Sequence, residues 1–186
     1  LTDYEGVRMN HILAVIVAVA CVNVYGASAQ EEIQEPVTLV DTVPTTFGKV
    51  WRSIKRSMED VSCPKTQVEK IIEPMDDAGL YKGQYFSEFC VLAQGADSTK
   101  DVIKRYSEIP RIRGGIWSTF RIQYKFSLKE EEDHTTKITL RAQCSGFEEF
   151  ITQETHFWNS NGILEREMMA RLLANIKKEI ESAGQE

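Results

Sequence analysis

Along this chain the apolar positions change period several times, and each change marks an element. Val37–Val43 is short and β-branched, which predicts a strand that Pro44 ends. Phe47, Val50, Trp51, Ile54, Met58 and Val61 then recur every three or four residues, predicting an amphipathic helix. Thr45 or Thr46 opens it, Lys49, Arg52, Lys55, Arg56 and Glu59 occupy its other side, and Pro64 stops it. Gln67–Ile72 predicts a second strand broken by Pro74, and Asp76-Asp77-Ala78-Gly79 predicts a turn. Leu80–Leu92 predicts one long aromatic strand kinked at Gly83. Ala93–Lys100 is a polar connection, Asp101–Tyr106 a short helix, and Pro110 with Gly114-Gly115 a further connection.

The second half carries the sharpest strand signal. Phe120, Ile122, Tyr124, Phe126 and Leu128 alternate with Arg121, Gln123, Lys125 and Ser127, so one face is buried and the other wet. A charged turn follows over Lys129–His134. Ile138, Leu140, Ala142 and Cys144 then alternate with Thr139, Arg141 and Gln143, which supplies the antiparallel partner. Phe147–Trp158 reads as a further strand. Asn159-Ser160-Asn161-Gly162 caps a helix over Ile163–Ser182, whose stripe is Leu164, Met168, Met169, Leu172, Leu173, Ile176 and Ile180. The order predicts an α+β domain: an antiparallel sheet covered on its apolar face by an N-terminal amphipathic helix and a long C-terminal helix.

The first residues change the expected address of that domain. After Met9, read as the start, an apolar run from Ile12 to Val22 is too short to span a bilayer, and Ala27-Ser28-Ala29 supplies a small-residue cleavage pattern. Residues 1–29 are therefore expected to be upstream residues and a signal peptide, 30–36 a polar linker, 37–182 the single domain and 183–186 a tail. The protein is expected to be exported, periplasmic or extracellular. Ala18-Val19-Ala20-Cys21 offers a rival reading as a lipobox, in which a lipid on Cys21 anchors the chain and makes its only membrane contact.

Composition narrows the partners. The chain has 186 residues and a net charge of −6, and removing residues 1–29 takes away only Asp3, Glu5 and Arg8. That acidic balance argues against nucleic acid as a partner. Cys63, Cys90 and Cys144 remain; an odd number leaves at most one bridge, with Cys90–Cys144 as the candidate and three buried thiols as the alternative.

Phe47-Gly48-Lys49-Val50-Trp51-Arg52-Ser53-Ile54, Gly79-Leu80-Tyr81, and Ser160-Asn161-Gly162-Ile163-Leu164-Glu165 resemble a known pattern. The whole order resembles the helix-grip fold of the Bet v 1 and START-like families. More closely, it is similar to the helix-grip domains of a lipoprotein component of the outer-membrane β-barrel assembly machinery. The resemblance covers residues 37–182 as one domain where that lipoprotein has two. It implies a curved sheet gripping the last helix, with room for a ligand between them.

Signals for chemistry are sparse. His134 lies in the acid turn Glu130-Glu131-Glu132-Asp133, where a solvated loop outweighs a metal site; His156 is a structural histidine before it is a general base. No phosphate loop, metalloprotease helix or nucleophile elbow occurs, and no cofactor or metal is expected. Arg105, Arg111 and Arg113 flank Pro110 as a solvated loop or an anion contact. Trp117, Phe120, Tyr124, Trp158 and Met168 are the candidate ligand-binding residues. The leading expectation is a non-catalytic envelope protein that binds other proteins or assists assembly. The alternative is a carrier of a hydrophobic small molecule or lipid, and a cyclase- or hydrolase-like enzyme ranks third.

Overall fold

A computed structural model describes residues 35–74 and 80–183. The expected signal segment, Cys21, and the turn at Asp76–Gly79 lie outside the described residues. The elements are β1 (Leu39–Val43), α1 (Phe47–Asp60), β2 (Thr66–Ile72), β3 (Lys82–Ser87), β4 (Cys90–Gln94), a 3-10 turn (Gly95–Asp97), α2 (Lys100–Tyr106), β5 (Trp117–Glu130), β6 (Thr136–Glu148), β7 (Thr155–Asn159) and α3 (Ile163–Ala183).

The strands form one seven-stranded antiparallel sheet in the order β1-β6-β5-β3-β2. The alternating segments become its two longest strands, β5 and β6, paired from Trp117↔Glu148 to Glu130↔Thr136. Each also pairs with two short strands in succession on its far side. β5 meets β3 and then β4, and β6 meets β1 and then β7. Phe120, Tyr124, Phe126, Leu128, Ile138, Leu140 and Cys144 lie buried on one face, against Val50, Ile54 and Met58 of α1 and Leu164, Met168, Leu172 and Ile176 of α3. Each large side chain taken from water into this layer stabilises the fold by about 1.5–3 kcal/mol.

The expected single strand over Leu80–Leu92 is two strands. β3 parts from β5 at Ser87, whose hydroxyl accepts the Tyr124 N–H (3.0 Å) while Gln123 Nε2 donates to the Ser87 carbonyl (2.8 Å). Side chains there replace the backbone ladder, and Glu88 N–H turns to the Lys65 carbonyl. Gly83 is no kink. A Cβ there would stand 2.7 Å from both the Phe47 and Trp51 rings, so glycine lets α1 lie directly on β3. The expected strand over Phe147–Trp158 is likewise divided: β6 runs on to Glu148, a loop follows, and only Thr155–Asn159 pairs as β7.

The expected Cys90–Cys144 bridge does not form. Cys90 pairs with Ile122 and Ile122 with Cys144, so the two cysteines sit two strands apart, about 10 Å, beyond the reach of a disulfide. Cys90 instead bonds Cys63, with the Cα atoms 5.6 Å apart. The end of α1 delivers Cys63. Ser62 takes a left-handed φ of 57°, Cys63 N–H donates to the Met58 carbonyl and Ser62 N–H to that of Glu59. That paired turn closes the helix and aims the next residue back along it. Cys144 remains a free buried thiol.

Two polar ties hold the helices in register. Asn175 Nδ2 of α3 donates to Ser57 Oγ (3.0 Å) and Asp60 Oδ2 (2.8 Å) of α1, and Arg52 Nε meets Glu179 Oε1 at 2.7 Å. The buried Glu165 carboxylate at the start of α3 accepts from the Ala142 N–H and the Ser160 hydroxyl, which joins α3 to β6. Among the described residues no helix is long and apolar enough to cross a membrane.

Candidate functional site

The five residues expected to line a ligand cavity do come together, but in solid packing. Trp117 and Trp158 stand 5.2 Å apart and Phe120 stacks on Trp158 at 6.1 Å. Gly146 lies under this cluster, where a Cβ would meet Trp158 at 2.8 Å. Trp117, Phe120, Tyr124 and Met168 are buried and Trp158 half-buried. A ligand-sized space between sheet and α3 would leave accessible surface on these walls, and Trp117, Phe120, Tyr124 and Met168 have almost none. Trp117 therefore fills the layer, and Trp158 closes over it while remaining partly exposed.

The titratable groups near this cluster are held in unreactive states. Burial, reinforced by the charges of Glu167 and Glu165, pushes the Tyr124 hydroxyl far above its usual range. Burial and then Glu165 drive the Cys144 thiol up to about 12, against a smaller opposing hydrogen bond from Ser107. A thiol in that state is no nucleophile at neutral pH. His156 meets Thr152 Oγ1 at 2.7 Å and stands edge-on to Trp117 at 5.5 Å, which positions its ring, and no ion pair with a carboxylate forms there among the described residues. His134 occupies a left-handed turn position, φ 61°. Among the described residues no group of three or more His, Cys, Asp or Glu is placed to hold a metal ion.

Glu148 escaped the sequence reading. Although buried, its carboxylate accepts the N–H groups of Ile116, Phe150, Ile151 and Thr152 and the Thr152 hydroxyl. Burial alone would raise its pKa; the four backbone donors outweigh that and bring it down to about 2. The carboxylate staples the loop after β6 to the approach to β5, and leaves Ile116, Phe150 and Ile151 exposed at the tip.

The open site lies at the other end. Thr46, Phe47, Gly48 and Trp51 of the α1 entry, Ile71 and Glu73 at the end of β2, and Tyr81 and Glu130 enclose a groove of about 470 Å³. Its floor is aromatic: Phe47 stacks on Trp51 at 5.6 Å and on Tyr81 at 5.5 Å. Glu130 Oε2 accepts the Tyr81 N–H at 3.2 Å, which fixes one carboxylate at the rim; exposed Glu73 supplies a second. The groove adjoins an edge, because β2 pairs with β3 alone among the described residues. The i, i+4 pair Phe47 and Trp51 was readable only as core. Both rings are indeed buried, and the groove forms where exposed Ile71 and Tyr81 come beside them, a tertiary fact.

Fold and groove together define a two-layer α+β domain with an aromatic, acid-rimmed groove beside β2, an edge strand of the sheet among the described residues. No protein-family model matches the chain, and no curated protein is similar to it at a significant level.

Proposed function

We propose that this chain is an exported, non-catalytic accessory module of the cell envelope that captures an extended segment of a partner protein along β2. The groove carries this reading. An added strand on β2 satisfies the edge, an apolar side chain enters between Phe47, Trp51, Ile71 and Tyr81, and a Lys or Arg meets Glu73 and Glu130. Export is supported by the apolar run of residues 12–22 and the small residues at 27–29. The helix-grip resemblance, and with it the likeness to the assembly-machinery lipoprotein, draws support from α1 and α3 lying on one face of an antiparallel sheet. The carrier reading moves to the same groove, since the layer between sheet and α3 is filled.

A photo-crosslinking residue at Ile71 or Tyr81, with one at Ile180 of α3 as control, tests the proposal in cells that produce the chain. Protein adducts at 71 and 81 and none at 180 are expected. No adduct at either groove position, or adducts of small-molecule mass only, overturns it. The mass of the mature N-terminus decides export: a start at Gln30 is expected, a lipid on Cys21 supports the anchored form, and an intact residue 9 contradicts both.

A further inference from the structure

The strands sort their charges by face. All seven Lys and Arg residues within them (Lys70, Lys82, Arg121, Lys125, Lys129, Lys137 and Arg141) stand at positions that point away from the helices. The strand acids do the reverse. Asp41 pairs with Ile138, Glu69 with Tyr85, Glu130 with Thr136 and Glu148 with Trp117, so all four share the face that α1 and α3 cover. A chain of net charge −6 thus gathers its strand cations on one sheet face, bordered beside Lys129 and Lys137 by Glu131, Glu132 and Asp133.

Register makes this arrangement costly to the fold alone. Lys82, Lys129 and Lys137 form one row across β3, β5 and β6, and Lys125 stands directly opposite Arg141. Like charges in such cross-strand positions repel. Lys129 is relieved by Glu131 at 2.9 Å, where the acid turn borders the sheet, and Lys125 is held by Gln143 Oε1 at 2.7 Å and the Phe86 ring. Lys70, Lys82, Lys137 and Arg141 make no ion pair among the described residues.

The four outer strands add something else to the same face. Val40 of β1, Ile72 of β2, Val91 of β4 and Phe157 of β7 pair with Thr139, Lys82, Arg121 and Ser145, all outward positions, and are 53%, 47%, 58% and 57% exposed. We infer that this open face docks on a bilayer surface rich in anionic headgroups, its cations on the phosphates and its apolar rim in the interfacial layer. The exposed cations Lys70, Lys82, Lys129, Lys137 and Arg141 spread over four strands, an area rather than a track. A single-stranded nucleic acid follows a line, and it offers aliphatic Val and Ile side chains no partner; a lipid surface takes both charge and rim. This contact is separate from the β2 groove and adds a membrane contact to the one expected through Cys21.

The test is partition of the full chain onto phosphatidylcholine vesicles with and without phosphatidylglycerol. Any contribution of residues 12–22 is common to both vesicles and to every variant, so the difference between the two reports the face. Each cation brought to an anionic surface contributes about five-fold, so K125Q/R141Q is expected to lose roughly 25-fold on anionic vesicles. K70Q/K82Q, at exposed positions, gives a second reading of the same loss if the first pair folds poorly. K177Q/K178Q on α3 removes the same charge and is expected to leave binding unchanged, while F157S lowers it several-fold. Equal partition onto both vesicles, wild-type binding by both sheet pairs, or tighter binding of a single-stranded oligonucleotide than of anionic vesicles overturns the inference.

Discussion

The two faces of the sheet are written by the same strands and obey opposite rules. On the covered face most large side chains are buried, the groove wall Ile71 excepted, and the acids are engaged: Glu69 by Lys55, Glu130 by the Tyr81 N–H, Glu148 by five donors. On the open face cations stand beside cations and apolar side chains remain exposed. The covered face is arranged for stability and the open face at some expense to it, which is the pattern expected when a surface is kept for a partner.

The largest effect that separates the faces is truncation. Phe126→Ala removes a fully buried ring and is expected to cost about 3–5 kcal/mol in urea unfolding, whereas Phe157→Ala on the open face should stay within about 0.5 kcal/mol. Equal losses would erase the distinction. Next comes the bridge. Cys63–Cys90 spans a sequence separation of 27, so C63A/C90A is expected to lose about 3 kcal/mol. Peptide mapping without reduction should return the 63–90 pair with Cys144 alkylated only after unfolding; a 90–144 pair would contradict the register.

The Glu148 staple sets a pH dependence on the covered side. Its folded pKa, about 2, lies below the ordinary carboxylate value of 4.5, so its stabilisation is fully present above that ordinary value and is lost as pH falls through the window down to about 2. Melting curves across that window should show a steeper acid loss for the wild type than for E148Q. Parallel curves would mean that the four N–H donors do not hold a charge. The smallest expected effect has the opposite sign: K125Q/R141Q relieves a repulsive pair and should gain a few tenths of a kcal/mol, as cross-strand pairs are worth about 0.2–1 kcal/mol.

These contrasts also separate what the sequence could reveal from what it could not. Strict alternation over residues 120–128 and 138–144 identified β5, β6 and the buried face, and the three-to-four spacing of Phe47 to Met58 identified α1, because both periods are local. The split at Ser87 was hidden, since it depends on Tyr124 and Gln123 replacing ladder bonds from another strand. The disulfide partner was hidden too, because it needs the register that places Ile122 between Cys90 and Cys144. The acidic net charge argued against nucleic acid and gave no hint of a cationic sheet face, yet the alternation already placed Arg121 and Lys125 on the wet side. Counting charges lost what their positions held. The spacing of Phe47 and Trp51 correctly marks them as core, since both are buried; the groove was illegible because it needs exposed Ile71 and Tyr81 brought beside those rings by the pairing of β2 with β3.

Lysine acetylation footprinting on phosphatidylglycerol-containing vesicles, read by mass spectrometry, tests the division between faces most directly. Lys70, Lys82, Lys125 and Lys137 on the open face are expected to lose reactivity several-fold when vesicles are added, while Lys104, Lys177 and Lys178 on the helices keep theirs. Unchanged reactivity of the sheet lysines, or equal protection of helix and sheet lysines, would contradict it.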